Sequence, residues 1–347
     1  MFPLMKLFTC DHCQQTLYFE NNRCVSCGET VAYRPETAQL ATLKPGDRQC
    51  RNAIEHDACN WLTSGPEAEY CRSCALSSVI PDLSDASNAI AWRRIEAAKR
   101  RLLYTLYALK LPVVTRTEDP EAGLTFRFLR GTEEAPVMTG HDQGVITLNV
   151  AEADFAFREN MREKMGEGYR TVLGHLRHEI GHYYWERLVR DAGLSERFRA
   201  VFGDERASYE EALEHHYEYG PPAQWNDSFI SAYASMHPWE DWAETWAHYL
   251  HMVDTLETAR SHGLTVRTPA AEKPGERVVT DRLAFFDFES LASGWNAVTL
   301  ALNSLNRSMG MKDAYPFVLT PVVLEKLRFV HELVQAQRAA APVDAAA

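Results

Sequence analysis

Two histidines four residues apart, with a glutamate directly after the first, form the segment best suited to chemistry, His178-Glu179-Ile-Gly-His182. On a helix, positions four apart lie on one face, so both imidazoles can bind the same zinc ion. Glu179 is rotated by about 100° from His178 and can reach a zinc-bound water without being a ligand. Zinc lowers the pKa of such a water towards about 7, and Glu179 can then accept its proton. The pattern therefore predicts hydrolysis at a zinc site.

A second segment offers carboxylates for the third ligand. Glu240 and Glu244 are four residues apart in a helix expected to begin at Pro238, because proline is tolerated at the first helical position. Apolar neighbours indicate a buried face: Trp239, Trp242, Ala243, Trp246 and Leu250. One carboxylate can complete a two-histidine, one-glutamate site with water in the fourth position, and the other can orient a ligating histidine. Three histidines are rival ligands: His237, His248 and His251.

All eight cysteines lie between positions 10 and 74, and the first four are Cys10, Cys13, Cys24 and Cys27. They form two Cys-x2-Cys knuckles, and two knuckles complete a tetrahedron of thiolates around one zinc ion. Four protein ligands leave no position for substrate, so this zinc is expected to be structural. Gly28, directly after the second knuckle, supplies the permissive backbone that such turns favour. Disulfides or a redox pair are the alternatives, and a reducing compartment disfavours them.

The remaining cysteines, Cys50, Cys59, Cys71 and Cys74, predict a second structural zinc site. Only the last pair has knuckle spacing, so buried free thiols beside an unrelated knuckle are the alternative. Segments this small bury too little apolar surface to fold unaided, and metal binding would supply much of their stability.

The elements that position these residues follow from the spacing of apolar side chains. A helix after Pro81 has apolar residues at helical intervals: Trp92, Ile95, Leu102, Leu106 and Leu109. Basic residues between them are expected to form a solvated face: Arg93, Arg94, Lys99, Arg100 and Arg101. Strand-like runs follow at 124–129 and 145–150, helices dominate from residue 151, and a last helix is expected after Pro321.

Length and charge exclude several classes of protein. At roughly 150 residues per domain, 347 residues suggest about two domains. The net charge of −12 opposes a large phosphate-binding surface, and residues 1–79 hold seven Lys and Arg against nine Asp and Glu. Nucleic acid is therefore not expected as a partner, and the cysteine-rich region fits a protein-contact module better. No apolar run reaches the ~18 residues of a membrane helix, and the first ten residues lack a signal-peptide pattern, so we expect a reducing cytoplasm.

The spacing of the candidate ligands resembles known families. His178-Glu-x-x-His182 followed by Glu240-x-x-x-Glu244 is similar to the gluzincin pattern, and the run Glu-x-x-Ala-Glu is shared with the catalytic domain of anthrax lethal factor. The whole chain resembles bacterial zinc-binding metallopeptidases with an N-terminal zinc-ribbon region. Four segments carry that likeness: Cys71-Arg-Ser-Cys74, Ile80-Pro-Asp-Leu83, Arg177-His-Glu-Ile-Gly-His-Tyr-Tyr184 and His237-Pro-Trp-Glu-Asp-Trp-Ala-Glu244.

The resemblance implies roles for individual residues. Glu240 would be the third zinc ligand, and Glu244 would support a ligating histidine. Tyr233 lies seven residues before Glu240, the offset of a tyrosine in lethal factor, and would stabilise the oxyanion or protonate the leaving group. An aromatic packing residue is the alternative role for Tyr233.

We therefore predict an α+β fold with two small zinc ribbons before a zincin-like metallopeptidase domain. The expected boundaries are 1–37 and 38–80 for the ribbons, 81–260 for the peptidase domain and 261–347 for a C-terminal helical segment packed on it. One catalytic and two structural zinc ions are expected, with a peptide or protein as substrate.

Other functions compatible with these motifs come from different classes. An amidase or isopeptidase cannot be distinguished from a peptidase by sequence. A nucleic-acid-associated protease resembling the Spartan type also joins this motif to a zinc ribbon, but the acidic charge and the N-terminal ribbons argue against it. A degenerate site in a binding protein is disfavoured because both histidines and Glu179 are present.

Overall fold

The protein is described from a computed structural model, which covers residues 7–65, 67–132, 134–164, 170–266, 278–279 and 287–341. Helices and strands both contribute to it, so the predicted α+β class is confirmed. Its contacts define two compact units. The first comprises Met1–Ala108, Pro112–Asn160 and Thr171–Leu176, and the second comprises Leu109–Leu111, Met161–Arg170 and Arg177–Ala347. The predicted domain boundaries stay predictions.

Short antiparallel ladders organise the cysteine-rich part of the first unit. Strand β1 (Leu7–Thr9) pairs with β2 (Thr16–Tyr18), and β3 (Val31–Arg34) pairs with β4 (Gln39–Thr42). Helix α1 (Arg51–His56) follows the second ladder. Each ladder has only three or four residues per strand, so the pairing alone would be marginal in water.

An aromatic core joins the two cysteine clusters. Its rings are in edge-on or tilted contact at centroid separations from 5.0 to 6.3 Å: Phe19, Tyr33, Trp61 and Tyr104. The backbone of Tyr33 donates to the carbonyl of Asn60 and accepts from the amide of Leu62, at 2.7 and 3.0 Å. The strand that follows the first cluster is therefore hydrogen-bonded to the segment that carries the second cluster.

A four-stranded sheet and a long helix complete the first unit. The sheet has the order β5 (Ser77–Val79), β6 (Thr125–Leu129), β8 (Val145–Asn149), β7 (Gly140–Asp142). The β5–β6 and β6–β8 pairs are parallel, whereas β7 is an antiparallel edge strand. Helix α2 (Ala86–Ala108) lies in the predicted place, and β6 and β8 correspond to the two predicted strand runs.

The basic residues of α2 do not all form the solvated face that the sequence suggested. Lys99 is fully buried, pairs with the fully buried Glu96 at 2.9 Å and lies 5.5 Å from the ring centre of Phe126. It shares the helix face of Ile95, so the apolar stripe includes it. Arg100 is also buried and donates to the carbonyl oxygen of Ala58.

Helices form most of the second unit, and two of them, α3 and α4, begin in the first unit. The helices are α3 (Phe155–Lys164), α4 (Val172–Trp185), α5 (Ser195–Phe202), α6 (Tyr209–Tyr219), α7 (Pro238–Ser261), α8 (Phe288–Ser308) and α9 (Pro321–Ala340). A π-helical turn at Glu186–Arg190 continues α4, and β9 (Thr265–Val266) pairs with β10 (Val278–Val279). Within the described ranges, no helix is long and apolar enough to cross a membrane.

Helix α7 is the centre of the second unit, with Trp242 and Trp246 fully buried along it. It approaches α4 closely: a Cβ on Gly181 would lie only 3.1 Å from the Cα of Ala243. The indole of Trp242 donates to the carbonyl of Gly181 at 2.8 Å. Glycine at this position therefore lets α4 and α7 bring their polar side chains within ligand distance of each other.

The C-terminal helix α9 is attached to α7 by a buried ion pair. Lys326 Nζ lies 2.6 Å from an oxygen of Asp241 and donates to the carbonyl of Ser228, also at 2.6 Å. Thr320, the N-cap of α9, donates to the carbonyl of Asp227 at 3.0 Å. These contacts fix the start of the loop that leads to Tyr233.

Candidate metal centre

Helix α4 presents His178, Glu179 and His182 in the way that an i, i+4 spacing requires. Its other face is anchored by fully buried side chains, among them Ile180 and Tyr184. The rings of His178 and His182 lie 4.9 Å apart, centre to centre. The two imidazoles are therefore neighbours on the face that looks towards α7.

A capped N-terminus fixes α7 and the carboxylates in its first two turns. Pro238 is the first helical residue, as predicted, and His237 is the N-cap. The Nδ1 atom of His237 accepts from the amide of Trp239 at 3.1 Å, and its Nε2 lies 3.1 Å from the carbonyl oxygen of Ala207. Both ring nitrogens are thus engaged, so His237 is a helix cap rather than the rival ligand considered above.

The ligand atoms of His178, His182 and Glu240 lie within 4.8 Å of one another. Nε2 of His178 is 2.9 Å from Oε2 of Glu240, and Nε2 of His182 is 3.6 Å from Oε1. Glu240 is only 2% exposed, so its carboxylate faces the two imidazoles rather than solvent. Two imidazole nitrogens and a carboxylate oxygen are a donor set that suits zinc with one position left open. The residues therefore fit the ion that the sequence implied.

The charges around this centre favour a bound cation. Burial disfavours the charged form of His178, but the adjacent carboxylates of Glu240 and Glu244 outweigh it and raise its pKa well above the usual value. Burial also opposes ionisation of Glu240, but the imidazoles of His182 and His178 hold its pKa well below the usual value. The carboxylates of the pocket thus stabilise positive charge between them. A bound divalent ion would supply that charge.

Glu244 lies behind His178, on the side opposite Glu240. One of its oxygens is 2.7 Å from Nδ1 of His178, and the other accepts a hydrogen bond from Ser231 Oγ at 2.7 Å. Burial opposes its ionisation, but the contact with His178 prevails and lowers the pKa of Glu244 to about 2. An ionised Glu244 holds the proton of His178 on Nδ1 and so turns Nε2 towards the pocket.

Glu179 lies beside the three candidate ligands without belonging to the set. It is only 8% exposed, and burial raises the pKa of its carboxyl. The positive charge of His178 and His182 acts in the opposite direction. A buried carboxylate with a raised pKa next to a metal centre is suited to accept and return a proton near neutral pH.

Tyr233 stands in a short 3-10 turn, Tyr233–Ser235, shortly before α7. Its ring lies 6.1 Å from that of His178 and 5.9 Å from that of His216 on α6. Burial and the nearby charge of Glu240 raise the pKa of its hydroxyl, which keeps it protonated. The structure therefore places the ring of Tyr233 beside the candidate ligand His178. The offset of Tyr233 from Glu240 had predicted a position at this centre.

Tyr209, which the sequence did not single out, also reaches the centre. Its hydroxyl donates to Oε1 of Glu240 at 2.9 Å, and its ring contacts those of His237 and Trp239. The Ser-x-x-Glu pattern that starts α6 at Ser208 could have located the helix start. Nothing in the sequence indicated that this helix start would face Glu240.

The other rival histidines have different partners. Nδ1 of His248 lies 2.7 Å from the hydroxyl of Tyr315, and burial lowers the pKa of His248 to about 4. Nδ1 of His251 is 2.6 Å from the guanidinium of Arg177, which also pairs with Asp254 at 2.7 Å. Neither histidine belongs to the cluster of ligand atoms around Glu240.

The cysteine clusters in the first unit have the geometry of metal sites. Each set of four sulfurs lies within 4.8 Å: Cys10, Cys13, Cys24 and Cys27, then Cys50, Cys59, Cys71 and Cys74. The Sγ atoms of Cys10 and Cys27 are 3.8 Å apart, and those of Cys59 and Cys71 are 3.6 Å apart. Four sulfurs about 2.3 Å from a tetrahedral zinc lie roughly 3.8 Å from each other, whereas a disulfide needs about 2.05 Å. Gly28 has a φ of +79°, as the predicted knuckle turn requires.

Comparison with known families agrees with both kinds of site. A model described as "Putative zinc-binding metallo-peptidase" matches residues 88–333, more than half of the chain. The chain belongs to this family. A zinc-ribbon domain model matches residues 7–85, a range that contains all eight cysteines. The predicted resemblance to zinc-binding metallopeptidases with an N-terminal zinc-ribbon region is thereby confirmed.

Relatives of the same length occur in mycobacteria. The chain is 44% identical over 333 residues to "Uncharacterized protein Rv2568c" of Mycobacterium tuberculosis and to "Uncharacterized protein Mb2598c" of Mycobacterium bovis. In both cases the match covers 95% of each chain. No solved structure matches the chain at a significant level, so the likeness to anthrax lethal factor stays a prediction.

Proposed function

We propose that this chain is a zinc-dependent hydrolase that cleaves a peptide or amide bond in a peptide or protein. The observation that carries the proposal is the convergence of His178 and His182 with Glu240, beside a buried Glu179 that is not in the ligand set. Three protein ligands leave a position for water or substrate, whereas a fourth would close the site. Membership of a zinc-binding metallopeptidase family supports the same class of reaction.

In this proposal Glu179 moves the protons. Zinc, when bound, supplies a Lewis acid that polarises the carbonyl and lowers the pKa of water towards about 7. Glu179 accepts the proton of the attacking water as the carbon–oxygen bond forms. It then delivers that proton to the nitrogen of the leaving amine as the carbon–nitrogen bond breaks. The raised pKa of Glu179 suits both transfers, because its carboxylate binds a proton more readily near neutral pH and can still release it to the amine.

Tyr233 and Glu244 prepare the pocket for that reaction. The hydroxyl of Tyr233 stays protonated and would donate a hydrogen bond to the oxygen that becomes negative in the tetrahedral intermediate. Glu244, itself bonded to Ser231, fixes the ring of His178 through Nδ1.

The cysteine-rich region is assigned a supporting role. We propose that its two sites bind structural zinc and that the region serves as a protein-contact module. Cytoplasmic location is part of the proposal, since cysteines spaced for metal rather than for disulfides suit a reducing compartment.

The test is cleavage of a peptide library, with N-terminal sequencing of the products and metal analysis of the same sample. The wild-type chain should generate new N-termini. Glu179→Gln should keep the metal content and lose at least about 10²–10⁴-fold in rate, the usual contribution of a general base. Glu218→Gln, an exposed glutamate on α6, is the matched control and should retain activity.

Three outcomes would redirect the assignment. Full activity in Glu179→Gln would contradict the mechanism. Cleavage of isopeptide-linked or amide substrates alone would favour the amidase or isopeptidase alternative. Activity that requires added DNA would favour a nucleic-acid-associated protease.

A further inference from the structure

Tyr209 occupies a position at the metal centre that the proposed chemistry leaves unused. It is the first residue of α6, a helix without a buried residue among its described positions. Its hydroxyl nevertheless donates to Oε1 of Glu240 at 2.9 Å. A phenol hydroxyl is protonated at neutral pH, so it is available as a donor.

The two oxygens of Glu240 have different surroundings. Oε1 accepts the hydrogen bond of Tyr209, whereas Oε2 lies 2.9 Å from Nε2 of His178. We propose that Tyr209 is a positioning residue, whose hydroxyl holds Glu240 so that one oxygen is presented to the metal. A ligand carboxylate fixed by such a hydrogen bond loses less rotational freedom when it binds an ion.

Neighbouring rings fix Tyr209 itself. Its ring packs edge-on against His237 at 5.4 Å and against Trp239 at 6.1 Å, between ring centres. His237 is tied to Ala207, two residues before Tyr209, through Nε2. Trp239 in turn lies 4.0 Å from the ring of His182. The N-cap of α7 and the start of α6 therefore contact each other next to Glu240.

The hydroxyl is the part of Tyr209 that contacts Glu240, whereas the ring contacts His237 and Trp239. Removing this hydroxyl would therefore remove the hydrogen bond to Oε1 of Glu240 and keep the ring packing. This distinguishes Tyr209 from a tyrosine that only fills space.

The experiment measures metal binding by the full chain. The more labile metal is removed by dialysis against a chelator, and Zn²⁺ is titrated back against a competing chelator of known affinity. Tyr209→Phe should weaken Zn²⁺ binding by roughly 10–100-fold, the usual cost of losing a partner of a metal ligand. Tyr219→Phe, an exposed tyrosine at the other end of α6, should bind Zn²⁺ like the wild type.

Equal Zn²⁺ affinity in Tyr209→Phe and the wild type would overturn the inference. An equal loss in Tyr219→Phe would also overturn it, because a general weakening of α6 would then be the cause. In a Glu240→Asp background the shorter carboxylate withdraws from the hydroxyl, so Tyr209→Phe should have little further effect. A full 10–100-fold further loss there would contradict an action through Glu240.

The inference rests on the proposed metal centre, but its readout does not depend on hydrolysis. A chain that binds Zn²⁺ and cleaves no peptide would refute the proposed reaction and leave the role of Tyr209 testable. Unchanged Zn²⁺ affinity in Tyr209→Phe, together with peptide cleavage by the wild type, would refute the role of Tyr209 and leave the proposed reaction in place.

Discussion

Four thiols surround each cysteine site, whereas the centre on α4 and α7 offers two imidazoles and one carboxylate. The cysteine sites are therefore complete without any further ligand, and the second one is built entirely from buried cysteines. The other centre keeps a position for water or substrate and collects polar side chains around it, among them Glu179 and Tyr209. In the proposed function, this contrast separates structural metal from metal that takes part in the reaction.

The two kinds of site also differ in how their charge is balanced. Zinc with four thiolates carries a net charge of −2, and the buried guanidinium of Arg100 interacts with Cys59, Cys71 and Cys74. Zinc with two neutral imidazoles and Glu240 would carry +1, and the ionised Glu244 lies behind it. Residues 207–259 contain no Lys or Arg. At the second cysteine site and at the centre on α4 and α7, the metal is thus expected to be balanced by side chains of the opposite sign, which lowers the cost of burying charge.

The largest effect should come from metal removal, because it separates the two kinds of site. We expect about three zinc ions per chain, of which a mild chelator removes one and leaves the fold intact. Removal of the other two should unfold the cysteine-rich region, since structural zinc can contribute roughly 10 kcal/mol or more to such small segments. Elemental analysis with amide hydrogen exchange of residues 7–65 measures both stages.

A single tightly held zinc, together with four titratable thiols, would reject the second cysteine site. Loss of protection across residues 7–65 on mild chelation would show instead that the labile ion is structural.

The next effect separates the two glutamates of α7. Glu240→Ala removes a ligand and should empty the labile site, because two histidines alone bind zinc weakly. Glu244→Ala removes only the partner of His178 Nδ1 and should weaken zinc binding by roughly 10–100-fold. Zinc titration monitored by a competing chelator measures both, and the cysteine-bound metal in the same sample is the internal control. Retention of zinc in Glu240→Ala, with loss in Glu244→Ala, would reverse the assignment.

The last effect concerns turnover alone: substitution of Tyr233 leaves every metal ligand in place. If its hydroxyl stabilises charge that develops only in the transition state, Tyr233→Phe should lower kcat by about 10²–10³-fold with KM nearly unchanged. Phenylalanine preserves the ring that contacts His178 and His216, so the melting temperature should change little. Steady-state kinetics and thermal melting of zinc-loaded protein test this. Wild-type turnover would make Tyr233 a packing residue.

Several features could be predicted because they depend on neighbours in the chain. The spacing of His178 and His182 defines one helix face, and Pro238 starts a helix wherever the helix then lies. The Cys-x2-Cys spacing likewise determines that two thiols point at one ion. Apolar periodicity located α2, but it placed Lys99 and Arg100 in solvent. Their burial depends on Glu96 and on the carbonyl of Ala58, which are partners that spacing cannot reveal.

The sequence by itself determined which side chains could be ligands and which pairs share a face, because helix and knuckle geometry is local. Only the tertiary structure decided that Glu240 faces Nε2 of His178 while Glu244 reaches Nδ1, since that depends on how closely α7 approaches α4. It also brought Ser231 and Tyr209 to those carboxylates from separate segments. Such contacts follow from packing over long separations in the chain, which no local pattern of residues encodes.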